Sequence, residues 1–283
     1  MLDTVSTTCG SGWVRSLYAG LNTATHPPAT AGGTDRAQPE SKLRMKAKTE
    51  LTKELSLDDQ VKAALAWLKK HSTRATRDGM ARYAIPSDNA YGVAMKDIKA
   101  LGKQLGQSND LALALWDTGV YEARMLVSFV ADPDLLTSTQ LDRWCKDFDN
   151  WAICDAMCFN LFDRSPHRWK KVKQWSASRK EFEKRTAFAL LWSLSVHDKQ
   201  AADEQFIDGL ALIERAANDE RNFVKKAVNM ALRAIGKRNQ KLNSAAVLLS
   251  RRLSDSDDPT ARWVGRDALR ELTSPSVRKR LGL

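Results

Sequence analysis

Across 283 residues, 45 Lys and Arg stand against 34 Asp and Glu, leaving a formal charge of +11. That balance favours an anionic partner, either nucleic acid or an acidic membrane surface. No run approaches the roughly 18 consecutive apolar residues of a membrane span, and four cysteines are too few for a disulfide scaffold. A soluble protein of a reducing compartment is therefore expected, cytoplasmic in a bacterium or nuclear in a eukaryote.

Residues 1–44 are rich in Thr, Ala, Gly and Ser, contain Pro27 and Pro28, and carry no apolar period, which predicts a disordered tail or a true start at Met45. One domain is expected over 45–283. From about Ser56 the text becomes a succession of apolar patterns of about 10–18 residues, each of helical period. The breaks Asp132-Pro133, Ser165-Pro166, Asp258-Pro259 and Ser274-Pro275 read as helix starts. Val61, Leu65 and Leu68 share one face, Val228, Leu232 and Ile235 share another, and nothing alternates as a strand would. The expectation is an all-α chain. Short loops and paired helices suit a HEAT-type stack of antiparallel hairpins with a concave basic groove, although no exact period recurs to exclude an irregular bundle.

The segment Asp149-Asn150-Trp151-Ala152-Ile153-Cys154-Asp155 opens with capping residues and turns apolar, so a helix is expected to start near Trp151. Asp155 is its lone acid and lies within about 40° of Trp151 on the helical wheel. A charge in an apolar stripe needs a partner. By itself this pattern suits a salt bridge to a neighbouring helix, with Arg185 as candidate. The other reading is a carboxylate, an indole and a guanidinium converging on a basic groove, a site suited to cationic sugar chemistry. Cys154 and Cys158 have a spacing that two metal ligands on one turn could use, but no His stands near them and core packing is the better reading.

Basic residues then gather twice. Arg164, His167, Arg168, Lys170, Lys171, Lys173, Arg179, Lys180, Lys184 and Arg185 interleave with Trp169 and Trp175, which at helical spacing read as core more than as stacking platforms. Between Arg221 and Leu253 there is no acid, while Arg221, Lys225, Lys226, Arg233, Lys237, Arg238, Lys241, Arg251 and Arg252 supply nine positive charges. On a helix over 223–238, Val224, Val228, Ala231, Leu232 and Ile235 face the core and Lys226, Met230, Arg233 and Lys237 fall opposite. A single-sign face without internal salt bridges is what phosphate binding calls for.

These segments together resemble the AlkD-like alkylpurine DNA glycosylases over nearly all of 57–283. Gly79-Met80-Ala81-Arg82-Tyr83 resembles the family's early Arg-Tyr motif, followed by Tyr91-Gly92-Val93. Trp151 through Asp155 resembles its Trp-x-x-x-Asp signature, Lys184-Arg185-Thr186-Ala187 its arginine motif, and Lys225 through Arg233 its late Lys-Ala-hydrophobic segment. The resemblance implies a HEAT-type solenoid that binds double-stranded DNA as a monomer and hydrolyses the N-glycosidic bond of N-alkylated purines, with neither cofactor nor metal. It makes Asp155 the catalytic carboxylate, with Trp151 packed on the sugar-phosphate backbone, Arg185 holding a phosphate and Tyr83 closing the opposite side. Lys225, Lys226, Arg233, Lys237 and Arg238 would meet the DNA backbone. Where the best-known members carry a second tryptophan, this chain has Met230, which implies retained binding with a reduced or altered lesion range. A non-catalytic DNA-structure binder on the same solenoid is the alternative.

Overall fold

The computed structural model describes residues 55–283, so the tail expected over 1–44 and the alternative start at Met45 lie outside the described residues. Every regular element among the described residues is helical, as the apolar periods predict. None of these helices is long and apolar enough to cross a membrane. The stretch expected to be one domain comprises two compact units that divide between Ala131 and Asp132.

In the first unit α1 (Leu57–Lys70), α2 (Arg74–Met80), α3 (Met95–Leu105), α4 (Asn109–Asp117) and α5 (Tyr121–Val130) follow one another, with a 3-10 turn at Ala81–Tyr83. Helix α5 packs against α3 and α4, and α1 covers α4 and α5. The loop between the 3-10 turn and α3 has no regular structure of its own, so its amide groups need partners. Glu122, in the first turn of α5 and fully buried, supplies them. Its carboxylate accepts the backbone N–H groups of Tyr91 at 2.9 Å, Gly92 at 2.7 Å and Val93 at 3.2 Å. Gly92 has φ +87°, and a Cβ there would lie 2.6 Å from the Thr73 carbonyl oxygen. Only glycine fits both constraints, which accounts physically for the Tyr91-Gly92-Val93 motif.

The second unit contains α6 (Ser138–Lys146), α7 (Trp151–Asn160), α8 (Arg168–Ser176), α9 (Glu181–His197), α10 (Asp203–Ala216), α11 (Asn222–Ile235), α12 (Gln240–Ser254), α13 (Pro259–Leu272) and α14 (Pro275–Leu281). Helices α7, α9, α11 and α13 form one layer, each touching the next, and α8, α10 and α12 form a second. Side chains cross the first layer at a nearly constant sequence offset. Asp155 meets Arg185 at 30 residues, Arg185 meets Phe223 at 38, and Asn229 meets Val264 at 35. Between α7 and α9 the offset stays at 28 residues from Cys154 to Cys158, so these two helices run parallel, and each hairpin is one structural repeat.

Local chemistry sets most boundaries. Asn150 caps α7, its side-chain oxygen accepting from Ala152 and Ile153 at 3.0 Å each. Asp258 with Pro259 starts α13, and Ser274 with Pro275 starts α14, both as expected. The other two Pro dipeptides differ. Asp132-Pro133 opens only the single 3-10 turn Pro133–Leu135. At Ser165 the hydroxyl accepts the His167 amide at 3.2 Å, closing a turn, and α8 begins afterwards at Arg168.

On α11 the residues Val224, Val228, Ala231, Leu232 and Ile235 are all buried, as the wheel predicts. Helix α7 is buried on every side from Trp151 to Phe159, so the apolar stripe expected there is a whole helix embedded in the unit.

Candidate active site

The N-terminal ends of α7, α9 and α11 bring Trp151, Asp155 and Arg185 together. Asp155 is 1% exposed and Arg185 3%. The Arg185 Nη2 donates to both Asp155 oxygens, at 2.9 and 2.8 Å, and its Nε donates to Oδ1 at 3.2 Å. Nη1 donates onward to the Phe223 carbonyl oxygen at 2.7 Å. The guanidinium carbon lies 5.9 Å from the Trp151 ring centroid. One arginine thus ties α7 to α9 and α9 to α11. Burial pushes the Asp155 carboxyl above its ordinary range, and the Arg185 guanidinium opposes that shift. Three of the carboxylate's roughly four acceptor positions are taken by Arg185.

Asp219, just before α11, fixes the end of that helix. It accepts from Arg221 at 2.9 and 2.6 Å and from Lys184 on α9 at 3.1 Å. Arg221 also donates to the Arg179 carbonyl at 2.6 Å. The Arg221 guanidinium, aided by Lys184, holds the Asp219 carboxyl at about 2, below its ordinary 3.8. A carboxyl whose folded pKa is depressed stabilises the fold above the unfolded value and loses that contribution as pH falls through the folded one. Asp219→Asn is therefore expected to flatten the fall of melting temperature between about pH 4 and pH 2. A melt series across that window checks it, and an unchanged acid limb would contradict the assignment.

The acid-free stretch 221–253 is not a single-sign face in three dimensions, which corrects the expectation drawn from its sequence. Neighbouring segments bring the acids it lacks. Arg221 pairs with Asp219; Arg233 with Asp267 at 3.5 Å and with Glu271; Lys237 with Glu271 at 2.5 Å; Lys241 with Glu204 at 3.0 Å; Arg252 with Glu214 at 3.0 Å. Arg238 faces inward instead. Its guanidinium donates to the Ser195 and Asp198 carbonyls at 2.8 and 3.0 Å and lies 4.0 Å from the Phe206 ring centroid, closing the C-terminal end of α9. Lys225 lies over the Trp263 ring, its Nζ 5.2 Å from the centroid. Lys226 and Met230 are half-buried on α11. Cations of this stretch are therefore interleaved with acids from the neighbouring helices.

The earlier basic stretch behaves the same way. Lys171 is fully buried against Asp142 at 2.6 Å, and Lys173, Lys184 and Arg168 pair with Asp208, Asp219 and Asp198. Trp175 is buried and donates to Asp142 at 2.8 Å, while Trp169 packs edge-on against Phe206. Both tryptophans are structural. Cys154 and Cys158 also belong to the core: Cys154 Sγ donates to the Asn150 carbonyl at 3.1 Å, and burial pushes both thiols well up from their ordinary range. Among the described residues no group of three or more potential ligands could hold a metal ion. Tyr83 ends the 3-10 turn of the first unit and is half-buried.

Sequence reasoning missed Glu122, Asp219 and Trp263. Glu122 reaches Tyr91 across 31 residues and Asp219 reaches Lys184 across 35, while Trp263 meets Lys225 from the adjacent helix, and the signal that could have found these pairs is the repeat offset itself.

A solved structure described as "A new family of proteins related to the HEAT-like repeat DNA glycosylases with affinity for branched DNA structures" matches with a TM-score of 0.64 at 19% identity, covering 78% of this chain and 96% of that one. At that identity the likeness establishes a HEAT-like fold. The designed armadillo repeat protein YIII(Dq)4CqI also matches, at 12% identity and a TM-score of 0.35, over 81% of this chain and all of its own. No curated protein sequence matches. The model of the family described as DNA alkylation repair enzyme matches residues 64–272. That span covers most of the chain and every residue of the Trp151, Asp155 and Arg185 cluster, and the chain belongs to the DNA alkylation repair enzyme family.

Proposed function

We propose that the protein binds double-stranded DNA as a monomer and hydrolyses the N-glycosidic bond of cationic N-alkylated purines such as 7-methylguanine and 3-methyladenine. The observation that carries this reading is the convergence of Trp151, Asp155 and Arg185 in one buried cluster within a DNA repair family. Alkylation at N7 or N3 makes the purine a cationic leaving group, so the step needs little acid catalysis. What limits it is the positive charge that develops on the deoxyribose, and a preorganised carboxylate is the natural stabiliser of that charge. Asp155 performs this role and orients the attacking water through its remaining acceptor position. Trp151 adds its electron-rich face, worth about 0.5–2 kcal/mol against a cation. Arg185 holds the Asp155 carboxylate in place through its three hydrogen bonds, and Lys225 and Lys226 add backbone contacts.

The test is release of 7-methylguanine from alkylated duplex by the wild type and by Asp155→Asn, counting free base and abasic sites. The variant should be slower by about 10²–10³-fold. Equal release from both would remove Asp155 from the mechanism. A second reading, a non-catalytic binder of unusual DNA structures, is favoured by one observation: the Asp155 carboxylate is 1% exposed and held by Arg185 through both oxygens. No release from either protein, together with tight salt-dependent binding, selects that reading.

Met230 supplies a further expectation. Methionine packs on a sugar but lacks an indole face, so Met230→Trp should raise excision of cationic purines by about tenfold, as a cation–π gain of about 1–2 kcal/mol implies. Unchanged rates would place residue 230 away from the lesion.

A further inference from the structure

Trp263 sits in the second turn of α13 and is 40% exposed. The other large hydrophobic side chains exposed among the described residues are all aliphatic: Leu55, Leu57, Leu135, Ile207, Leu248 and Leu283. An exposed aliphatic side chain is ordinary for a protein surface. An exposed indole with a lysine ammonium over its ring is a more specific object. The Lys225 Nζ reaches it from α11, at 5.2 Å from the ring centroid. Arg266, one turn along α13 and so on the same helix surface, is exposed.

The acids nearest Trp263 in the chain are already committed. Asp258 accepts the Thr260 and Ala261 amides at the start of α13, at 2.9 and 2.8 Å. Asp267 pairs with Arg233 and Arg270. Among the described residues neither Lys225 nor Arg266 forms a salt bridge, so an aromatic face, a flexible ammonium and an exposed guanidinium lie on neighbouring helix surfaces without a carboxylate paired to them. This patch is also linked through the layer to the candidate active site. Arg185 bonds Asp155 on one side and the Phe223 carbonyl on the other, two residues before Lys225.

We propose that Trp263, Lys225 and Arg266 form a stacking site for an unpaired nucleobase and its flanking phosphate, a second DNA contact separate from Asp155. The proposal rests on the DNA-binding reading above. A B-form duplex hides the faces of its bases and offers only groove edges and backbone, so an indole face gains little from it. At an end, gap or branch a base is free to stack, which is worth about 1–3 kcal/mol per base on an aromatic platform. In the free protein the Lys225 ammonium lies over the ring, and the arriving base displaces it from the indole face so that it meets the flanking phosphate.

The experiment measures fluorescence anisotropy at fixed salt with an undamaged blunt duplex and with the same duplex carrying a single-stranded overhang. Trp263→Ala should weaken overhang binding by about tenfold while changing blunt-duplex binding by less than about twofold, and Trp263→Phe should retain most of the affinity. Lys225→Ala should lower the salt slope for the overhang probe by about one. Equal changes on both probes in Trp263→Ala, or none on either, would overturn the stacking site while leaving DNA binding intact. If the wild type binds neither probe, the DNA-binding reading itself falls and the stacking site with it. Thermal melts of each variant confirm that an exposed substitution leaves the fold unchanged.

Discussion

Asp155→Ala should lower the free energy of unfolding by about 3–5 kcal/mol, measured by chemical denaturation. The carboxylate and the guanidinium are both almost wholly removed from solvent, at 1% and 3% exposure, and share three hydrogen bonds. Deleting the acid leaves a buried cation without its counter-charge, and deleting the base with Arg185→Met leaves a buried anion. Either loss is far more damaging than losing a surface pair, which is worth about 0–1 kcal/mol. Replacing both at once is different, because a well-packed apolar pair of similar volume is often neutral. The double variant Asp155→Leu with Arg185→Met should therefore recover most of the stability lost in either single variant. A double variant as unstable as the sum of the singles would show that the two side chains do not act as a pair. This cycle also separates structure from chemistry: a folded double variant that binds DNA and releases no base would place catalysis in the Asp155 and Arg185 pair, not in the integrity of the helix stack.

Asp155 shows how far sequence reasoning reaches. Its helix start, its Asn150 cap and its proximity to Trp151 were legible because all three are local, fixed by hydrogen bonds and spacing within a few residues. The core face of α11 was legible for the same reason. The link to Arg185 was available as a candidate because both residues sit on apolar faces. The meaning of the acid-free stretch 221–253 was not. A run of like charge in sequence says nothing about the charge on the adjacent repeat, and here Glu214, Asp267 and Glu271 arrive from helices before and after it. Arg238 carries the same lesson, since its position beside Lys237 suggested a shared surface role, while the carbonyls it closes lie about 40 residues earlier. Helical hairpins that stack in parallel turn a sequence block into one rung of a ladder, and the partners of each rung lie one repeat away.

The largest effect outside the candidate site is expected at Glu122. Its carboxylate is fully buried in the first turn of α5, where the helix dipole favours negative charge, and it accepts three backbone amides from the loop that follows Tyr83. Hydrogen bonds to a charged acceptor contribute about 1.5–3 kcal/mol each, and amides left without a partner in the interior add their own desolvation cost. Glu122→Ala should thus destabilise the protein by about 4 kcal/mol or more. Glu122→Gln keeps one acceptor oxygen but turns an amine toward an amide donor, so about 2 kcal/mol is expected. The loop itself should respond further. Thr73 donates to the Gly92 carbonyl at 2.8 Å, Arg77 to the Ser87 carbonyl at 3.1 Å and Tyr121 to the Asn89 carbonyl at 2.9 Å, but these bonds use the loop's carbonyls and leave the Tyr91, Gly92 and Val93 amides to Glu122. Hydrogen exchange at Tyr91, Gly92 and Val93 should rise in Glu122→Gln by more than the global destabilisation accounts for, because the loop amides lose one of the two acceptor oxygens that hold them before the helices separate. Exchange that rises equally throughout the first unit would mean that the loop is held by its packing, and that the Tyr91-Gly92-Val93 motif owes its geometry to the glycine alone.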